Sequence, residues 1–152
     1  MSKHPTIVTT SETVSASFTN YLIVGDNVKL TFIGGVGNTV VAGGKNDVIS
    51  SRDTMNLKIV DHGRDLQVQV AGTVNGMDIR NWAHDPGATL SLYNQHERNG
   101  AMAVAQSIPD GAGGSIMTHL VGGRYGSIGG LGGGIHFQGT TPDALQVHVF
   151  NT

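Results

Sequence analysis

The sequence predicts an all-β fold: a short parallel β-solenoid or β-roll in the first half of the chain and a glycine-rich β second half, all in one domain. Three observations carry this. From Tyr21 to Trp82, apolar clusters recur about every nine residues with turn-forming residues between them, which is the rhythm of short strands. Residues 34–49 read GGVGNTVV and then AGGKNDVI, two tandem copies of one unit that align Asn38 with Asn46, Thr39 with Asp47, Val40 with Val48 and Val41 with Ile49. Finally, 23 glycines in 152 residues stand beside only 13% charged residues, a balance that suits turn-rich β structure and weakens helices.

Residues 1–18, MSKHPTIVTTSETVSASF, contain no apolar run of signal-peptide length. No window elsewhere approaches the ~18 apolar residues of a membrane span, so no membrane insertion is expected. The sequence therefore predicts export without an N-terminal signal, or assembly into a particle. The expected strands follow as Leu22–Val24, Val28–Phe32, Val40–Val41, Val48–Ile49, Leu57–Val60, Leu66–Val70, and the pair Met77 and Ile79. Turns fall at Gly25–Asn27, Gly34–Asn38, Gly43–Asp47, Asp61–Gly63 and Asn75–Gly76. Val28-Lys29-Leu30-Thr31-Phe32 and Leu66-Gln67-Val68-Gln69-Val70 alternate strictly, so one side of each strand is buried and the other is wet.

Beyond Trp82 the beat weakens. Gly87–Asn94 still reads as a strand, while alanine and methionine spacing in 99–107 suits a short helix or an irregular connection ending at Pro109. Glycines in 111–134 alternate with Ile116, Leu120, Ile128 and Leu131, a pattern open to packed strands or a linker. Strand character returns at Ile135–Phe137 and Leu145–Phe150, on either side of a Thr141-Pro142-Asp143 turn.

Composition excludes several classes. Hydrophobic residues make up 38% of the chain and the net charge is −2, which indicates a packed fold rather than disorder. Nine basic residues scattered singly form no stripe able to neutralise phosphates, so no nucleic-acid partner is expected. Without cysteine there is no disulfide, thiolate ligand or cysteine nucleophile. Gly44-Lys45 is followed by Asn46, which ends any phosphate-binding loop. Ser127 lacks the first glycine of a nucleophile elbow.

The tandem unit resembles the calcium-binding nonapeptide of RTX (hemolysin-type) proteins, G-G-x-G-x-D-x-U-x, with U a large apolar residue. Gly34, Gly35, Gly37 and Val41 match in the first copy, where Thr39 stands at the aspartate position. In the second copy Asp47 and Ile49 match, while Ala42 and Lys45 occupy glycine positions. The resemblance implies coiling into a parallel β-roll, with calcium held by aspartates in the turns.

Calcium ligands are therefore sought among the turn aspartates Asp26, Asp47, Asp53, Asp61 and Asp65, since hard cations take oxygen ligands on such loops. The commoner use of a turn aspartate is to bond its own backbone. His136 and His148 lie in two nearby C-terminal strands and would meet as metal ligands across a hairpin or about a trimer axis. Trp82 and Asp85 suit a sugar contact, an aromatic face beside a carboxylate; the plainer reading makes Trp82 a cap on the core. The expectation is a non-catalytic structural or adhesive protein that self-associates as a homo-oligomer or polymer at a cell surface or in an extracellular matrix. Two alternatives stand beside it: a bacteriophage virion component (capsid decoration or tail-spike protein), and a polysaccharide-acting enzyme or sugar-binding module.

Overall fold

The computed structural model describes residues 4–94, 104–109, 116–121, 127–128, 135–137 and 146–151. Most of the glycine-rich tracts and the turn at 141–143 lie outside these residues. The strands are β1 (Thr6–Val8), β2 (Glu12–Val14), β3 (Asn20–Ile23), β4 (Lys29–Ile33), β5 (Thr39–Ala42), β6 (Val48–Asp61) and β7 (Gln67–Arg80). They continue as β8 (Thr89–Asn94), β9 (Val104–Pro109), β10 (Ile116–Val121), β11 (Ser127–Ile128), β12 (Ile135–Phe137) and β13 (Val147–Asn151). A 3-10 turn, Trp82–His84, lies between β7 and β8.

These strands stack as two parallel ladders. The first runs β1, β3, β5, the second half of β6, the second half of β7, and β12. The second runs β2, β4, the first half of β6, the first half of β7, β8 and β13. Each turn of the chain contributes one strand to each ladder, and β6 and β7 bend from one ladder into the other, with a register shift between Arg52 and Thr54. The protein is a β-solenoid with about four full coils between Asn20 and Asn94. Pairing, which the sequence left open, is parallel throughout the coils.

The structural repeat is a coil of 19 residues, seen in the backbone-to-side-chain bond from Val28 to Asp47 and in the register Tyr21↔Val40↔Ile59. The tandem unit at 34–49 is therefore corrected in scale. Its two copies are the two halves of one coil: the first leads into β5 in one ladder and the second into β6 in the other. The nine-residue beat is half a coil.

Alternation along each strand builds the core. Tyr21, Val40, Ile59 and Ile79 stack in one inward column, and Leu30, Ile49, Val68 and Leu90 in the facing one; all are at most 4% exposed. Burying each such aliphatic side chain contributes roughly 1.5–3 kcal/mol. Tyr21 meets Phe32 edge-on across the two ladders at 5.4 Å, and Trp82 meets Phe137 at 5.0 Å. Corners are formed by residues that accept left-handed backbone at 19-residue intervals: Asn27, Asn46 and Asp65 have φ of 59°, 57° and 55°. Asn and Asp enter that region at less cost than other side chains.

Two expectations for the second half are corrected. Residues 104–109 form strand β9, not a helix, because β10 pairs with it antiparallel along its whole length. His136 and His148 do not face each other across a hairpin: β12 pairs with β7 and β10, whereas β13 pairs with β8 in the other ladder.

Candidate functional site

Buried Asn38, Asp47 and Asp85 fall at corners, where they hold one coil to the next, whereas buried Ser51 and Thr54 bond each other at 2.6 Å within β6. Asp47 is fully buried and lies in an inward column with Val28, Leu66 and Ala88. Its Oδ1 accepts the N–H of Val28 at 2.9 Å and its Oδ2 that of Gly44 at 3.0 Å. Burial pushes its carboxyl up, and the two backbone bonds oppose the shift. Asn38 acts in the same way half a coil earlier: its Oδ1 accepts from Thr19 N, and its Nδ2 donates to Ala16 O. Groups with no backbone partner of their own are thereby satisfied from the neighbouring coil.

The densest group lies where the third and fourth full coils meet. Asp61 is fully buried at the inward position that Val8, Ile23 and Ala42 fill in earlier coils. Asp85, 2% exposed, accepts Asp65 N at 2.9 Å and Leu66 N at 3.2 Å. Burial, then the hydrogen bond to Asp85 and its charge, push the Asp61 carboxyl up to about 8. For Asp85 burial acts upward, but the bond from Asp61 and the two backbone N–H groups outweigh it and hold its carboxyl low. As a carboxylate, Asp61 would leave Oδ2 buried with no donor; protonated, its carboxyl is the donor in the hydrogen bond with Asp85. One proton shared between two carboxyls is the stable arrangement at neutral pH.

His84 closes the corner from outside. Its Nε2 lies 2.6 Å from the Asp61 carbonyl oxygen and 4.0 Å from Asp61 Oδ1; facing a carbonyl, Nε2 carries the hydrogen. The ring is about half exposed and, with His62, Asn81 and Ala83, lines an open depression of about 550 Å³.

The residues singled out from sequence separate as follows. Asp61 and Asp85 are brought together, with Asp65 N bonded to Asp85. Asp26 accepts Lys45 N at an exposed corner, and Asp53 sits exposed with φ 55° at the bend within β6. Asp61 and Asp65 share the turn between β6 and β7, yet among the described residues no group of three or more His, Asp or Glu side chains is set to hold a metal ion. At the tandem unit itself the donor set does not fit calcium: Asp47 turns both oxygens to backbone N–H groups, and Thr39 holds the other aspartate position. Trp82 and Asp85 are each 2% exposed, so their side chains face the interior. Sequence reasoning missed Asn38 and the Asp61–Asp85 pairing. The signal appears when the chain is written in rows of 19, where Asp61 falls under Ile23 and Ala42.

The fold and this corner define the protein as a β-solenoid whose coils are bracketed by buried carboxyl and amide side chains. Compared with protein families, with curated proteins and with solved structures, the chain matches none.

Proposed function

We propose that this chain is a non-catalytic structural or adhesive β-solenoid that works by associating with further copies of itself at a cell surface or in an extracellular matrix. The observation that supports this reading is the state of its first coil. Among the described residues, β1 pairs only with β3 and β2 only with β4, which leaves two strand edges whose backbone groups are free to take another chain. β1 carries no charge, and β2 carries only Glu12, so the charges that usually blunt an edge are sparse. Among the described residues, four of the five exposed large hydrophobic residues, Ile7, Phe18, Val24 and Ile33, also belong to the first two coils.

The buried corner fits the same reading. Asp61, Asp85 and Asp47 are directed at backbone and at each other, and act to hold coils in register. Sedimentation equilibrium across a range of concentrations tests the proposal. The expected result is a reversible oligomer; a strict monomer at every concentration would overturn it.

A further inference from the structure

We infer that the partner is a second copy of this chain docked first coil to first coil, so that association closes at a two-fold dimer and does not extend into a fibre. The inference rests on the self-association proposed above and specifies its geometry.

A solenoid has two ends, and they differ here. At the far end of the first ladder, β12 pairs with β7 on one side and with β10 on the other. That second pairing is antiparallel, and β10 is itself flanked by β9 and β11. The parallel ladder is therefore sealed by a strand running the wrong way for a further coil. Head-to-tail stacking would need the β1 edge to add in parallel onto β12, where β10 already sits. The first coil keeps both its edges, β1 and β2, in the described residues, whereas the far end keeps one, the outer edge of β13, which pairs only with β8 among them. Head-to-tail stacking could engage only one of the two ladders, so an interface that pairs both edges at once must pair the first coil with itself, which is isologous and closes.

The chemistry of the end suits such a partner. Val24 donates its N–H to the Val8 carbonyl at 2.9 Å, so Val8 faces β3. By strand alternation Ile7 turns its own N–H and C=O to the open edge. Two edges one coil-width apart call for a partner with two edges at the same spacing, and the first coil of another copy supplies them. A two-fold axis perpendicular to both the solenoid axis and β1 sets β1 antiparallel to β1 of the second copy. Ile7, 53% exposed, and Val24, 47% exposed, lie at the rim and are covered in the pair.

The test is the mass of three proteins in solution, each checked for β structure by circular dichroism. The unaltered chain is expected to reach twice its 15.8 kDa mass and to stop there as concentration rises. Ile7→Pro removes the outward N–H without touching the bond to β3, and is expected to weaken the dimer at least tenfold. Val24→Asp, which leaves the backbone intact, is expected to do the same and serves if the proline variant misfolds. Open-ended polymers would overturn the closed geometry and leave self-association standing. A dimer that survives both substitutions but is lost in Val41→Asp, on the outer face of the first ladder, would overturn the end-on contact. A monomer would overturn this inference together with the proposed function.

Discussion

Asp61 occupies the position at which earlier coils place Ile23 and Ala42, so its carboxyl is held among aliphatic side chains and is tolerated there only when neutral. Its pKa in the folded chain is about 8, against an ordinary value of 3.8. Between those two values the folded state holds a proton that the unfolded chain has lost, so stability must fall as pH rises through this window and level off above it. Asp85 acts in the opposite sense: its lowered carboxyl contributes stability that is lost as pH falls below the ordinary carboxylate range. Calorimetry from about pH 5 to about pH 8 should therefore show a steady loss on the order of 3 kcal/mol. Asp61→Asn keeps a donor toward Asp85 and cannot ionise, so its melting temperature should be nearly flat across that range. A wild-type profile that rises with pH would contradict the shared proton. Asp47→Ala poses a separate question, because it strands the buried N–H groups of Val28 and Gly44. The expected loss, read from urea unfolding, is about 2–4 kcal/mol.

Each coil is held to the next at its corners, where the spacing between chains leaves no room for a Cβ. Gly25, Gly44 and Gly63 recur at the coil period. A methyl group on Gly44 would come within 1.7 Å of Gly25 O, and one on Gly63 within 1.9 Å of Gly44 O. Both contacts are with backbone, which cannot give way without parting the coils. Gly34 makes the contrast: its φ is +68°, yet nothing lies within 4 Å of the added atom. Gly63→Ala is expected to cost about 3 kcal/mol or more by chemical denaturation, and Gly34→Ala only about 1 kcal/mol from backbone strain. Equal costs would mean that close approach is not what selects glycine at Gly63. These corners also explain what could be read in advance. Strands β3 to β8 were legible because each coil repeats the alternation of its neighbour within 20 or so residues. The carboxyl pair was not, since Asp61 read as a turn aspartate and Asp85 as part of a sugar contact, and only the stacking of one coil on the next joins them. Strand β9 was misread for a related reason: the stretch 99–107 that overlaps it carries three alanines, which have weak strand preference, and the strand is set by its long pairing with β10.

In a stack where each coil touches mainly its neighbours, stability is passed along the axis, and the coil with one neighbour is the weakest part of the molecule. The first coil has short three-residue strands, β1 and β2, with only Val8 fully buried between them. A monomer would therefore fray there first, and its amides would exchange with solvent faster than those of β5 or β8. Docking a second copy on that coil gives it the missing neighbour, which makes the folded state of the whole chain depend on concentration. By mass action a tenfold rise in protein changes the free energy of a dimer by about 1.4 kcal/mol, which for a domain of this size corresponds to a melting temperature higher by about 2–4 °C. The wild-type chain should show that rise, together with slowed amide exchange at Thr6–Val8. Ile7→Pro should melt at one temperature regardless of concentration while β5 and β8 keep their protection. If the wild-type melting temperature is independent of concentration over a hundredfold range, the first coil is stable alone and the end-to-end contact is not made.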